Sequence, residues 1–206
     1  MSSISIIGLG NMASALAGRA LAGGNAVEII GRDLAKAKEL AAALGDATAG
    51  TPGAAPAGDI VILAVPYASC APLVSQYGDA LASKIIIDMS NNFAPGGTGL
   101  IAPEGTSAAQ EIAKAAPASA HVVKAFNTVF GNALAQDRPL DVLIAGDDAQ
   151  AKASVSAFIE SLGLRPLDTG PLAMARWLEG TGLVMMGLGR YGVGNFNFTL
   201  DVNTPG

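Results

Sequence analysis

The chain has 206 residues, half of them apolar and 14% charged, with a formal net charge of −5, one cysteine and one histidine. That length supports one sizeable core, or one domain with a small appendage. The acidic balance argues against a nucleic-acid partner, and one Cys with one His leaves neither a disulfide framework nor a Cys- or His-built metal centre.

The first apolar run, Ile4 to Ile7, predicts a short buried strand that begins almost at once after Met1-Ser2-Ser3, with no basic, cleavable leader. No apolar run reaches the length of a membrane span, so a cytoplasmic location without membrane contact is expected. Gly8-Leu9-Gly10-Asn11-Met12-Ala13 then opens a helix from Asn11 to Leu21. In such a turn Gly8 permits the tight bend and Gly10 removes the side chain that would block a pyrophosphate, while the helix offers the anion unpaired N–H groups and its positive dipole end. The motif alone is weak, but here a strand precedes it and Val27 to Ile30 follows at βαβ spacing, which predicts a dinucleotide site.

The second strand ends at Gly31-Arg32, where an NAD site usually carries an acid. Arg32 and, one helical turn on, Lys36 supply positive charge for a 2′-phosphate, although both also fit solvated charges at a helix start. Asp33 would suit the ribose hydroxyls of an NAD site. NADP(H) is the expected cofactor.

Further strands are predicted at Asp59 to Val65, Lys84 to Asp88, His121 to Phe126, Asp141 to Ala145 and Leu164 to Leu167. Helices are predicted at Ser69 to Leu81, from near Ser107, and at Asp148 to Leu162, with a Pro- and Gly-rich loop from Asn91 to Thr106. This alternation predicts an α/β fold, a Rossmann-type, doubly wound and mainly parallel sheet covered on both faces. Residues 1–169 would form the NADP-binding domain, and 170–206 a short helical segment completing the acceptor site or a dimer interface. Ligands of such sheets lie across the carboxyl ends of the strands, which singles out Val65 and Pro66, Ser90 and Asn91, and Asn127 and Thr128. Each also suits a plain turn.

Three segments carry a family resemblance: DIVILAVP (59 to 66), VVKAFNTV (122 to 129) and GLRPLDTGPL (163 to 172). They resemble the NADPH-dependent reductases of coenzyme F420 and, equally, the oxidoreductase domain of STEAP-type metalloreductases. The resemblance implies NADP contacts at Leu9, Gly10, Asn11, Met12, Arg32, Lys36, Val65, Ser69, Asn91 and Gly131. Gly31 departs from it, standing where the deazaflavin reductases commonly carry Ser or Thr. The activity implied is hydride transfer between NADP(H) and the deazaflavin F420. Alternatives are a flavin or ferric reductase of STEAP type using FMN or FAD, a pyrroline-carboxylate or imine reductase-like enzyme, and a non-catalytic NADP(H)-sensing protein.

Hydride transfer between two redox rings needs stacking and exclusion of water rather than an acid or base, so no catalytic side chain is expected. Lys124 is expected to snorkel from its strand, His121 to cap or pack, and Cys70 to be a small buried residue. Trp177, Met185, Met186, Tyr191, Phe196 and Phe198 are expected to face the acceptor or to pack a helix, and Arg176 and Arg190 to meet a coenzyme phosphate or solvent. The partners expected are a small-molecule redox coenzyme and a second copy in a homodimer.

Overall fold

The computed structural model describes residues 1–203. The strands β1 (Ser3–Ile7), β2 (Ala26–Ile30), β3 (Thr48–Ala49), β4 (Ile60–Leu63), β5 (Ile85–Asp88), β6 (His121–Lys124), β7 (Asp141–Gly146) and β8 (Arg165–Asp168) form one sheet in the order β3-β2-β1-β4-β5-β6-β7-β8. Every pairing is parallel except β6 with β7. The helices are α1 (Asn11–Ala22), α2 (Leu34–Leu44), α3 (Tyr67–Tyr77), α4 (Ala108–Ala115), α5 (Gly131–Leu134), α6 (Ala149–Ser161) and α7 (Ala175–Arg190). The chain is thus a Rossmann-type α/β protein.

All four residues of β4 are buried because helices cover both faces, which is why such strands read as unbroken apolar runs. Successive residues still serve opposite layers. Ile60 and Ile62 pack with Leu16 of α1 and Phe158 of α6, whereas Val61 and Leu63 pack with Val74 of α3 and Ile112 of α4.

Several boundaries differ from expectation for local reasons. The fourth strand is confined to Ile60–Leu63, and Pro66 caps α3, which starts at Tyr67 rather than Ser69. The HVVKAF strand stops at Lys124 because Phe126 takes a left-handed backbone, φ 62°, that no strand accommodates.

Arg19 on α1, not singled out from sequence, fastens the far end of the sheet. Its guanidinium donates to the carbonyls of Leu134 at 2.7 Å, Leu162 at 2.9 Å and Arg138 at 3.0 Å, and also to that of Gln136. At the sheet edge, Arg165 of β8 donates through Nε and Nη2 to its register partner Asp141 of β7, both at 2.6 Å. The Val202 N–H donates to the same carboxylate, clipping the C-terminal segment down.

The Arg165 fork holds the Asp141 carboxyl below the usual carboxylate range. A depressed folded value stabilises above the unfolded value of about 3.9 and is lost as pH falls through the folded one. Asp141→Asn is therefore expected to melt lower than wild type at pH 7 and to lose less on acidification. Calorimetry from pH 7 to 3 checks this, and parallel curves would contradict it.

Candidate functional site

The strand order reverses between β1 and β4, and the loops leaving them diverge to opposite faces, opening a crevice at their carboxyl ends. Gly8 sits at its base with φ 144°; a Cβ there would fall 2.2 Å from the Ala64 carbonyl oxygen. Its freedom thus serves a close backbone approach as well as the turn. At Gly10 an added Cβ would meet no atom of the described residues within 4 Å.

Gly10 is also the N-cap of α1, so no side chain accepts from the N–H groups of the first turn, and that turn carries no acid. Open space before an uncapped, 12-residue helix fits a diphosphate. These features suit the dinucleotide that the Gly8-to-Ala13 turn predicts.

Arg32 and Lys36 are both exposed, at the end of β2 and in the first turn of α2. Asp33 is the N-cap of α2: its Oδ1 accepts from the N–H groups of Ala35 at 3.0 Å and Lys36 at 3.2 Å. Gly31 has a steric cause, since a Cβ there would lie 2.5 Å from Cδ1 of Leu9.

Next to this turn lies a cleft of about 270 Å³ lined by Met12, Ala64, Val65, Pro66, Met89, Asn91, Phe126, Asn127, Val129, Phe130 and Gly131. It gathers six residues expected from sequence: Met12, Val65, Pro66, Asn91, Asn127 and Gly131. Ser69 is exposed in the first turn of α3 and does not line it. Phe126, Met89 and Phe130 are additions; the left-handed Phe126 that turns β6 into the wall leaves no mark in the residue pattern.

The polar part of the wall is a pair of interlocked amides. Asn127 Nδ2 donates to the Leu178 carbonyl at 2.9 Å and to Asn91 Oδ1 at 3.0 Å, and Asn91 Nδ2 donates to the Asn127 carbonyl at 3.0 Å. Because a carbonyl can only accept, both amide orientations are fixed. Asn127 Oδ1 is then a buried acceptor in the wall with no hydrogen-bond partner among the described residues.

Lys124 does not snorkel. It is fully buried, and its Nζ donates to Asp88 at 2.8 Å, Glu179 at 2.8 Å and the Ser90 carbonyl at 2.6 Å. Burial pushes the Glu179 carboxyl above its ordinary range, against the pull of Lys124. Cys70 is buried, and desolvation pushes its thiol up to about 12.

Of the six C-terminal residues expected to face the acceptor or to pack a helix, none is among the residues that line this cleft. Trp177 and Tyr191 are exposed and Met185 is buried in the core. Phe196 and Phe198 reach the cleft only through Phe130, packing edge-on at 5.6 and 5.1 Å between ring centres. Arg190 donates to the Gly96 carbonyl, which ties α7 to the Pro- and Gly-rich loop.

Comparison with known proteins matches residues 3–92 to the family described as NADP oxidoreductase, coenzyme F420-dependent. The chain is 34% identical over 183 residues to metalloreductase STEAP3 of Rattus norvegicus, covering 85% of this chain and 35% of that protein. It is 31% identical over 143 residues to the F420-dependent NADP reductase of Methanocaldococcus jannaschii, covering 66% of this chain and 64% of the other. A crystal structure from Arthrobacter sp. FB24, provisionally assigned as an F420-dependent NADP-reductase, superposes with a TM-score of 0.82 at 26% identity, over 98% of this chain and 100% of that one. The chain thus spans less than two thirds of the two curated relatives.

Gly31→Ser would restore the hydroxyl that the resemblance calls for but must displace Leu9. Overpacking of this kind costs ~1–3 kcal/mol, so the single variant is expected to melt several degrees lower, about 2–4 °C per kcal/mol. Leu9→Ala combined with Gly31→Ser is expected to recover most of the loss. Thermal unfolding of both variants checks this, and an undiminished single variant would show that Leu9 does not set the requirement for glycine.

Proposed function

We propose that this chain, whose residues 3–92 match the family described as NADP oxidoreductase, coenzyme F420-dependent, transfers a hydride between NADP(H) and a deazaflavin coenzyme of the F420 type. The observation that carries the reading is the continuity of two surfaces: the uncapped α1 N-terminus and the cleft share Met12, so one extended dinucleotide reaches both. When bound, NADPH supplies the hydride from its nicotinamide ring.

Each part of the chain has its task in this proposal. The N–H groups of Asn11 and Met12, after Gly8, Leu9 and Gly10, hold the diphosphate on the helix dipole. Arg32 and Lys36 pair with the 2′-phosphate. Asn91 and Asn127 orient the nicotinamide end, while Val65, Pro66, Gly131 and Phe130 shape an apolar wall that keeps water from the transfer. Ser69 remains a proposed contact through the start of α3. No side chain is assigned a proton transfer.

A flavin acceptor is the second reading, favoured by the length of the match to the metalloreductase, 85% of this chain. Mixing the protein with NADPH and F420, and separately with FMN or FAD, distinguishes the two by loss of absorbance at 340 nm. Turnover with F420 alone supports the proposal. Turnover with flavins alone supports the second reading, and binding without turnover a sensing protein. The small-molecule partners and a cytoplasmic setting follow the same proposal; among the described residues no helix is long and apolar enough to cross a membrane.

A second copy is proposed to cover the exposed stripe of Trp177, Val184 and Leu188 on α7 and Tyr191 at its C-cap. A monomeric mass by light scattering would remove it. Arg32→Ser is expected to raise the KM for NADPH roughly 10- to 100-fold, the worth of a charged hydrogen bond, and to leave NADH nearly unchanged. Steady-state kinetics with both nucleotides checks this, and an unaltered KM for NADPH would refute the phosphate assignment.

A further inference from the structure

We propose that Lys124 is a positioning residue for the nicotinamide-binding wall: its buried ammonium fixes the Asn91–Asn127 amide pair through Ser90 and Glu179. The inference rests on the reading of the cleft as an NADP site. It follows from where the three partners of Nζ stand in the chain.

Ser90, whose carbonyl accepts from Nζ at 2.6 Å, immediately precedes Asn91, and its own N–H donates to Asp88 at 2.8 Å. Lys124 itself lies three residues before Asn127. Glu179, which accepts from Nζ at 2.8 Å, immediately follows Leu178, the residue whose carbonyl receives the Asn127 amide. One turn further along α7 is Gly182, where a Cβ would lie 2.9 Å from Asn91 Oδ1. A single lysine therefore ties together the three segments from which the amide pair is assembled: it belongs to the one that carries Asn127, and its ammonium bonds to the other two.

The site is built for fixity. Lys124, Asp88 and Glu179 are all fully buried, and the surplus carboxylate is answered by the Ala108 N–H, which donates to both Glu179 oxygens, at 3.1 and 3.2 Å, at the start of α4. None of the three lines the cleft, so Lys124 acts on the ligand only through the wall. A group so placed controls the angle of the amides, and small errors of angle are costly for ring-to-ring transfer.

The test uses the full chain, wild type and the variants Lys124→Met and Glu179→Gln. Two probes are bound: 2′-phospho-ADP-ribose, which lacks the nicotinamide, and NADPH, whose dihydronicotinamide emission reports the ring's surroundings. The adenine half lies apart from the cluster, so the variants are expected to hold 2′-phospho-ADP-ribose within about twofold of wild type. The emission of bound NADPH is expected to move toward that of the free nucleotide. With the acceptor the wild type reduces, kcat is expected to fall on the order of 10- to 100-fold while KM for NADPH changes less.

A purely structural role would lower the melting temperature without moving the emission. Should Lys124→Met fail to fold, Glu179→Gln, which keeps the shape and leaves one positive and one negative charge, carries the test alone. Folded variants with wild-type emission and kcat overturn the proposal while leaving the nucleotide reading intact. A wild-type chain that binds neither probe overturns both.

Discussion

The contact on which the rest of the molecule depends is the one between Gly8 and Ala64. Strands β1 and β4 run in register from Ile4 beside Ile60 to Ile7 beside Leu63, so Gly8 arrives directly beside Ala64. The Ala64 N–H donates to the Ile7 carbonyl and the Gly8 N–H to that of Ile30, both at 2.9 Å, so three strands close on one residue. With no side chain at that point the strands can end level and close together. The N-terminus of α1 is thereby set over the crevice, and every other part of the site takes its place relative to it.

A second constraint works at the opposite wall. Replacing a buried ion cluster by apolar residues of similar size often leaves stability unchanged or higher, so stability alone is a poor account of Lys124, Asp88 and Glu179. Geometry is a better one. An apolar contact between α7 and the sheet would tolerate sliding, whereas the bonds from Nζ to Asp88, Ser90 and Glu179 are short, directional and satisfied together. The consequence is an α7 whose distance from the sheet is set at Gly182, where the Asn91 amide lies close.

What the residues disclosed in advance follows a physical line. Strand ends are written in local pattern, so Val65, Pro66, Asn91 and Asn127 were legible as cleft residues before any contact was known. Gly131 and Met12 came with the family motifs. The burial of Lys124 is not legible in the sequence because its decisive partner, Glu179, lies 55 residues away, and a strand pattern shows only that a cation needs company. Phe126 was hidden for another reason: a bulky residue at φ 62° contradicts its own preference, and only its surroundings hold it there. At Gly31 the residue pattern shows only a missing hydroxyl, whereas the structure places Leu9 in the space a side chain would fill.

The C-terminal helix shows how a correct period can mislead about direction. Along α7 and its C-cap, Leu178, Gly182, Met185 and Gly189 are buried, while Trp177, Val184, Leu188 and Tyr191 are exposed. Both sets keep the helical period, the buried one in steps of four, three and four residues and the exposed one in steps of seven, four and three, and one lies a single residue, about 100°, from the other. Hydrophobicity cannot choose between two such seams, and size pulls the wrong way, since the large aromatics suggest a pocket. The discriminating mark is smallness. Gly182 and Gly189 stand where Asn91 and the Phe196 ring come within 3 Å of an added Cβ, so the seam facing the protein is the one interrupted by glycine, and the bulky residues are left on the outer face.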